Sequence, residues 1–343
     1  MSSRKKIIQF VLFFAIMLLT FYVVFRDQDL PAVLAAAAGM PLPFIVAAML
    51  LGLFFASAEG IMIWYLLRSM GRACSFCRCI LYSFVGFFYS GITPSATGGQ
   101  PMQLYYMNKD GCKASDATVI LMTMALAYKL VLVIIGLWIL LVWYRPLKDF
   151  MGEYMLLYFA GIVLNLVVVL AIIWVMLFPG VLVRTAVLLE RSLIRLHIWK
   201  ENPGRQKKIQ DFAESYGRAV SFLAGHRDRL AAVLVITLLQ RCSMFCLTYV
   251  IYRGFGLVGG GAYRIMALQA AVYIAVDMLP IPGAQGITEL VYRKVFQEIF
   301  TGGCLLPSML VSRGMNFYVP LIICGIAAGA AALRDPGRKE DCI

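Results

Sequence analysis

Six stretches of this chain, at residues 7–25, 42–67, 117–143, 154–178, 230–252 and 307–333, are apolar runs long enough to cross a lipid bilayer. About 20 residues at 1.5 Å each span a hydrocarbon core of about 30 Å. Inside that core no water satisfies backbone N–H and C=O groups, so apolar runs of this length fold as helices. The balance of residues agrees: 62% are hydrophobic and 14% charged, where a soluble domain carries about 25% charged residues. The sequence predicts an all-α polytopic membrane protein with about six full transmembrane helices.

Two shorter apolar stretches, 79–91 and 263–278, each run into a loop of prolines and glycines. The loops read PSATGGQP (94–101) and PIPGAQG (280–286). A helix over 79–91 reaches only about 20 Å and cannot cross alone. Irregular backbone at membrane depth is tolerated where protein or water surrounds it. Residues 79–109 and 263–300 are therefore expected to form re-entrant helical hairpins.

Basic residues set the orientation, because loops on the cytoplasmic side collect them. Arg4, Lys5 and Lys6 place the N-terminus inside, and the second span returns to Arg68, Arg72 and Arg78. If 79–109 turns back as a hairpin, Lys109 and Lys113 also lie inside, as do the basic connection 184–229 and Arg334, Arg338 and Lys339. Both termini are expected in the cytoplasm. The net charge of +13 then sits mostly at the anionic inner leaflet, and no motif suggests nucleic acid as a partner. Residues 7–25 read as a retained signal anchor.

The layout repeats. Residues 42–143 contain a span, a hairpin and a span, and 230–333 contain the same order, separated by a cytoplasmic segment at about 179–229. Three spans lie between the hairpins, so the second enters from the opposite face. Inverted repeats with broken helices are a transporter architecture, with sites near the midplane. Within 179–229, Ile209, Phe212, Tyr216, Val220 and Leu223 share one helical face. That face suits either the inner leaflet or the protein's own cytoplasmic end.

Six ionisable residues fall inside apolar segments: Glu59, Lys129, Arg241, Asp277, Glu289 and Arg313. Each costs at least about 2.5 kcal/mol at a lipid-facing central position, so each is expected to face protein or water. Two readings follow. The six pair as structural salt bridges, or they line a cavity in which Lys129, Arg241 and Arg313 meet a phosphate. In the second reading Glu59, Asp277 and Glu289 balance that charge or hold a cationic headgroup. Half-helices starting near Gly99 and Gly286 would add positive dipole ends. Glu289, in the first turn after Gly286, also suits helix N-terminal stabilisation.

Catalytic signals are missing. Ser95 and Thr97 have no histidine nearby and read as helix caps; there is no GxSxG, P-loop or Cys/His pairing. Cys74, Cys77 and Cys79 read as reduced structural thiols, and neither a metal nor a cofactor is expected.

The segments PSATGGQPMQLYYMNKDG and PIPGAQGITELVYRKVF, with Arg313 in SMLVSRGMNFY, resemble the paired motifs of the lysylphosphatidylglycerol synthase transmembrane family. Its members include the flippase half of the bacterial multiple peptide resistance factor, and the resemblance covers roughly residues 5–333. It implies a bundle that moves lysyl- or other aminoacyl-phosphatidylglycerol from the inner to the outer leaflet of the bacterial plasma membrane, contributing to resistance to cationic antimicrobial peptides. The match carries Pro94, Gly98, Gly99 and Gln100 in the first motif, and Pro280, Pro282, Gly283, Gly286 and Glu289 in the second. The second motif departs from the family pattern at Ala284, where a second glycine is usual, and Gln285 follows it.

Full-length members carry a soluble transferase domain that lies outside this resemblance, so the chain is not expected to be an enzyme by itself. The alternatives are a membrane component of a phosphatidylglycerol lysyltransferase whose transferase lies on another chain, and an ion-coupled carrier of a small anionic solute. Expected partners are an anionic or aminoacylated phospholipid, a separate lipid aminoacyltransferase and a second copy of the chain.

Overall fold

The computed structural model describes residues 38–93, 96–178, 203–279 and 286–333, with a few isolated positions besides. The expected first span at 7–25, the loop residues Pro94, Ser95, Pro280, Pro282 and Gly283, and the basic C-terminal tail lie outside the described residues. Every element within them is helical. In chain order these are α1 (Leu42–Ser69), α2 (Phe76–Ile92), α3 (Gly99–Lys109), α4 (Ala114–Met151) and α5 (Met155–Leu177). Then come α6 (Pro203–Gly225), α7 (Arg227–Gly254), α8 (Ala262–Val276), α9 (Ile287–Phe296), α10 (Leu305–Arg313) and α11 (Val319–Leu333).

Four helical stretches among the described residues are long and apolar enough to cross a membrane: Leu42–Ser69, Ala114–Leu177, Arg227–Gly254 and Leu305–Ala332. The second holds 64 residues, about three times what a bilayer needs. It folds back at Gly152, whose φ of +53° reverses the chain, and a 3-10 turn, Gly152–Tyr154, leads into α5. α5 then packs along α4. Within α4 the helix bends at Trp143 (φ −137°), three residues before Pro146. A proline there lacks the N–H its helical hydrogen bond needs and crowds the preceding turn. The fourth stretch is also interrupted, by a π-helical turn at Gly314–Tyr318 between α10 and α11.

Two helices stop by the same device. Gly71 (φ +73°) follows α1, and Arg72 N–H donates to Leu67 O at 2.9 Å. Gly111 (φ +93°) follows α3, and Cys112 N–H donates to Met107 O at 3.0 Å. This left-handed glycine stop satisfies carbonyls that a helix end otherwise leaves unpaired. It also directs Arg72 and Lys113 out of their helices at defined positions.

The buried apolar residues form two clusters. One joins the first half of α1, the second halves of α4 and α7, and α5, α8 and α9. The other joins the second half of α1, the first halves of α4 and α7, and α2, α3 and α6. α1, α4 and α7 run through both. The apolar face of α6 is turned inward, with Tyr216, Ala219 and Leu223 buried in the second cluster. Of the expected face, the Ile209 side chain lies outside the described set.

Close approaches between helices depend on glycine. A Cβ on Gly161 of α5 would collide with the Ile274 carbonyl oxygen of α8, and one on Gly52 of α1 with the Met315 carbonyl of the π turn. In a membrane, where lipid is as apolar as the core, such van der Waals contact is a main source of helix association. Gly161→Val is expected to destabilise the bundle by about 1–3 kcal/mol, as backbone must move to make room. Gly136→Ala should cost less, since the nearest atoms to its Cβ would be side-chain atoms, of Ile162 at 3.0 and 3.1 Å and Ile274 Cδ1 at 3.3 Å. Thermal unfolding in detergent checks both.

Candidate functional site: a polar layer across the bundle

The boundary between the two apolar clusters is where the charges lie. α1 contributes Phe55 and Glu59, α4 Tyr128 and Lys129, and α7 Gln240 and Arg241. α7 is 28 residues long, and Gln240 and Arg241 occupy its middle. α8, with 15 residues, ends at this same layer: Tyr273 and Asp277, at and just beyond its C-terminal turn, meet the α4 and α7 side chains.

Lys129 Nζ donates to Asp277 Oδ2 at 2.6 Å, with both side chains largely buried. The neighbouring Tyr128 hydroxyl donates to Asp277 Oδ1, and Tyr128 and Tyr273 share a hydroxyl–hydroxyl hydrogen bond of 3.0 Å. One carboxylate thus accepts from an ammonium and a phenol on adjacent residues. Consecutive residues on a helix point about 100° apart, so Asp277 is clasped from two sides of α4.

Arg241 differs. It is 4% exposed, yet no carboxylate lies within 4 Å of it among the described residues. Its Nη1 donates to the Tyr273 hydroxyl at 3.3 Å and its Nη2 to Gln240 Oε1 at 3.3 Å, both neutral oxygens. Its Nε has no hydrogen-bond partner. The guanidinium carbon lies 3.9 Å from the Tyr128 ring centroid and 4.7 Å from that of Phe55. Ring faces attract a desolvated cation by about 2 kcal/mol, which holds this charge in place without neutralising it.

α9 and α10 carry another ion pair. Arg313, the last residue of α10, donates from Nε to Glu289 Oε1 in α9 at 2.7 Å. Glu289 Oε2 is buried and accepts no hydrogen bond. Glu289 sits in the first turn of α9, where no side-chain cap hydrogen bond forms, and its carboxylate is taken up by the ion pair. Glu59 receives a hydrogen bond of 2.8 Å from Gln103 Nε2 of α3. Gly86 of α2 makes that reach possible, because a Cβ there would occupy the space of the Gln103 side chain.

The six expected ionisable residues therefore resolve into two ion pairs and two charges without a direct ion-pair contact among the described residues, Glu59 and Arg241, near enough for each to feel the other's field. The N-cap of α3 is Gly98, and its N–H donates to Thr93 Oγ1 at 2.8 Å. Gly99 is buried against Ser90 and the Gly86 carbonyl, and Gln100 is exposed. Gly286, at φ +82°, starts α9 in a conformation that favours glycine. The polar neutral residues Gln103, Tyr128, Gln240 and Tyr273 complete the layer. Sequence reading missed them, although the adjacency of Tyr128 to Lys129 and Gln240 to Arg241 was a signal.

The model of one protein family, described as the lysylphosphatidylglycerol synthase TM region, matches residues 7–324. The chain belongs to this family. Among curated proteins none matches it. As a member of the lysylphosphatidylglycerol synthase TM family with several membrane-length apolar helices, the chain is a multi-pass membrane protein, and the polar layer crosses its apolar interior.

A double-mutant cycle tests whether the central pair is coupled. Lys129→Met and Asp277→Leu are each expected to lower stability by about 3–5 kcal/mol, because each strands the opposite buried charge. The double variant should recover much of that loss. Additive losses in detergent unfolding would show that the two groups do not interact.

Proposed function

We propose that this chain translocates a phospholipid, lysyl- or another aminoacyl-phosphatidylglycerol, from the inner to the outer leaflet of the bacterial plasma membrane. The observation that carries the reading is Arg241, a buried guanidinium in the middle of a transmembrane-length helix with rings and neutral oxygens for neighbours. A phosphate is the counterion whose geometry such a group fits. Family membership narrows the phosphate to that of a lipid.

An aminoacyl-phosphatidylglycerol headgroup carries both signs, a phosphate and an ammonium. The layer supplies both complements. Arg241 and Lys129 receive the phosphate; Asp277 and Glu289 receive the ammonium in exchange for their present partners. Exchanging one ion pair for another avoids leaving a charge bare in an apolar medium, where one costs at least about 2.5 kcal/mol. Acyl chains stay in the bilayer while the headgroup crosses.

The packing supports a pair of inverted repeats about this layer, residues 42–143 and 230–333. α2 packs on α1 and α11, and α8 packs correspondingly on α7 and α4. In this reading α2–α3 and α8–α9 are re-entrant hairpins entering from opposite faces, with both chain termini cytoplasmic. Rocking of one repeat against the other opens the layer to each leaflet in turn. A separate aminoacyltransferase supplies the lipid, and a second copy of the chain is the natural membrane partner. Lysyl headgroups delivered to the outer leaflet make it less negative, which weakens binding of cationic peptides.

A second reading is favoured by the two direct ion pairs: the layer serves only to fasten the hairpin to α4 and α10. The two readings separate in proteoliposomes holding a leaflet-sensitive labelled lysyl-phosphatidylglycerol. The purified protein is expected to equilibrate the label between leaflets. Arg241→Gln, and separately Arg313→Ala, should slow it at least about tenfold, the loss of one charge-assisted hydrogen bond or more, in protein that remains helical by circular dichroism. Wild-type rates in both variants would leave only the fastening role. Uptake of a small anionic solute without lipid movement would overturn the lipid reading.

A further inference from the structure

Away from the polar layer, the end of the bundle where α1 and α3 stop holds a cavity of about 190 Å³. It is lined by Arg72, Lys113, Asp116 and, from α6, Ser215, Arg218 and Phe222. That volume is the share of about six water molecules in the liquid, enough for a phosphate group and too small for a whole lipid.

The cavity comes from three separate parts of the chain. Gly71 ends α1 and presents Arg72; Gly111 ends α3 and presents Lys113; α6 is laid across α4 by its buried face and presents Arg218. Three cations face one carboxylate. Arg72 is fixed by it, with Nε 3.2 Å and Nη2 3.1 Å from Asp116 Oδ2, so its orientation is set. Lys113 makes no ion pair among the described residues and is exposed. Arg218 donates from Nη2 to Ser215 Oγ at 3.0 Å, and its Nη1 lies 3.9 Å from Glu214 with both side chains over 70% exposed, an arrangement worth little in solvent. Lys113 and Arg218 are thus available to a ligand.

The first turn of α4 opens into the same space. Lys113 is its N-cap, and no side chain caps it. A 38-residue helix adds positive potential at this end, which favours an anion. Asp116 in that turn is already neutralised by Arg72, so the cavity has a net positive charge of two from its lining residues.

We infer that this cavity binds a phosphate group, held by Lys113 and Arg218 with Arg72 as its oriented wall, and that occupancy fastens α6 to the ends of α1 and α3. The ligand's source is an anionic phospholipid headgroup at the bilayer surface or a soluble phosphate; both offer the same oxygens. The site is independent of translocation through the polar layer, so it stands or falls separately from that reading.

Hydrogen exchange of α6 amides in the purified full chain tests it. Three preparations suffice: phosphatidylcholine nanodiscs, the same discs with inorganic phosphate at millimolar concentration, and discs containing phosphatidylglycerol. Slowed exchange over residues 212–222 with phosphatidylglycerol alone identifies the headgroup; slowed exchange with phosphate as well identifies a free phosphate site. Lys113→Ala with Arg218→Ala should weaken the protection about tenfold or more, whereas Lys113→Arg with Arg218→Lys should keep it. Both pairs alter exposed side chains, so folding is not at risk. No protection with either probe, or equal protection in the alanine variant, would overturn the assignment.

Discussion

The Lys129–Asp277 pair is the interaction on which this architecture depends. Asp277 lies at the C-terminal end of a 15-residue helix, α8, that stops in the middle of an apolar bundle. A helix ending there has unpaired backbone carbonyls and a carboxylate to accommodate, both costly without water. Lys129 and Tyr128 remove the side-chain part of that cost together, and fix where α8 ends relative to α4. Arg313 and Glu289 perform the same task where α9 begins. The C-terminal end of α8 and the start of α9 are thereby held by charge, and α8 is held against α5 by the close approach of Gly161 to Ile274.

Those pairs make Arg241 meaningful. With two neutral ion pairs beside it, the buried Arg241 cation is balanced within the layer by Glu59 alone, whose carboxylate is hydrogen-bonded by Gln103 on a different helix. Burying such a charge is expensive unless its surroundings stabilise it. Ring faces keep it tolerable while leaving one N–H without a partner. Two ion pairs close this layer, and one buried cation within it has ring faces and neutral oxygens as its contacts.

Much of this was legible in the sequence. Apolar runs fix long helices because hydrocarbon permits little else, so 42–67, 230–252 and the short 79–91 and 263–278 stretches correspond to α1, α7, α2 and α8. The six intramembrane charges stood out for the same reason. What sequence could not give was who meets whom: Lys129 reaches Asp277 across 148 residues, and Glu59 takes an amide from Gln103 rather than a cation. Such pairings depend on helix rotation and on glycines such as Gly86, whose lack of a Cβ matters only once two helices touch. The placement of α6 was left open by its amphipathic pattern alone, since membrane and protein ends offer similar apolar surfaces; packing on α4 buries Tyr216 and Leu223 within the protein.

The central claim is that the polar layer recognises a lipid headgroup of both signs. The most direct measurement is mass spectrometry of the lipid that remains with the protein after detergent purification from cells containing lysyl-phosphatidylglycerol. Enrichment of aminoacylated phosphatidylglycerol over its membrane abundance, lost when Arg241 is replaced by glutamine, is the predicted result. Bound lipid that mirrors the bulk membrane in both proteins would contradict the account.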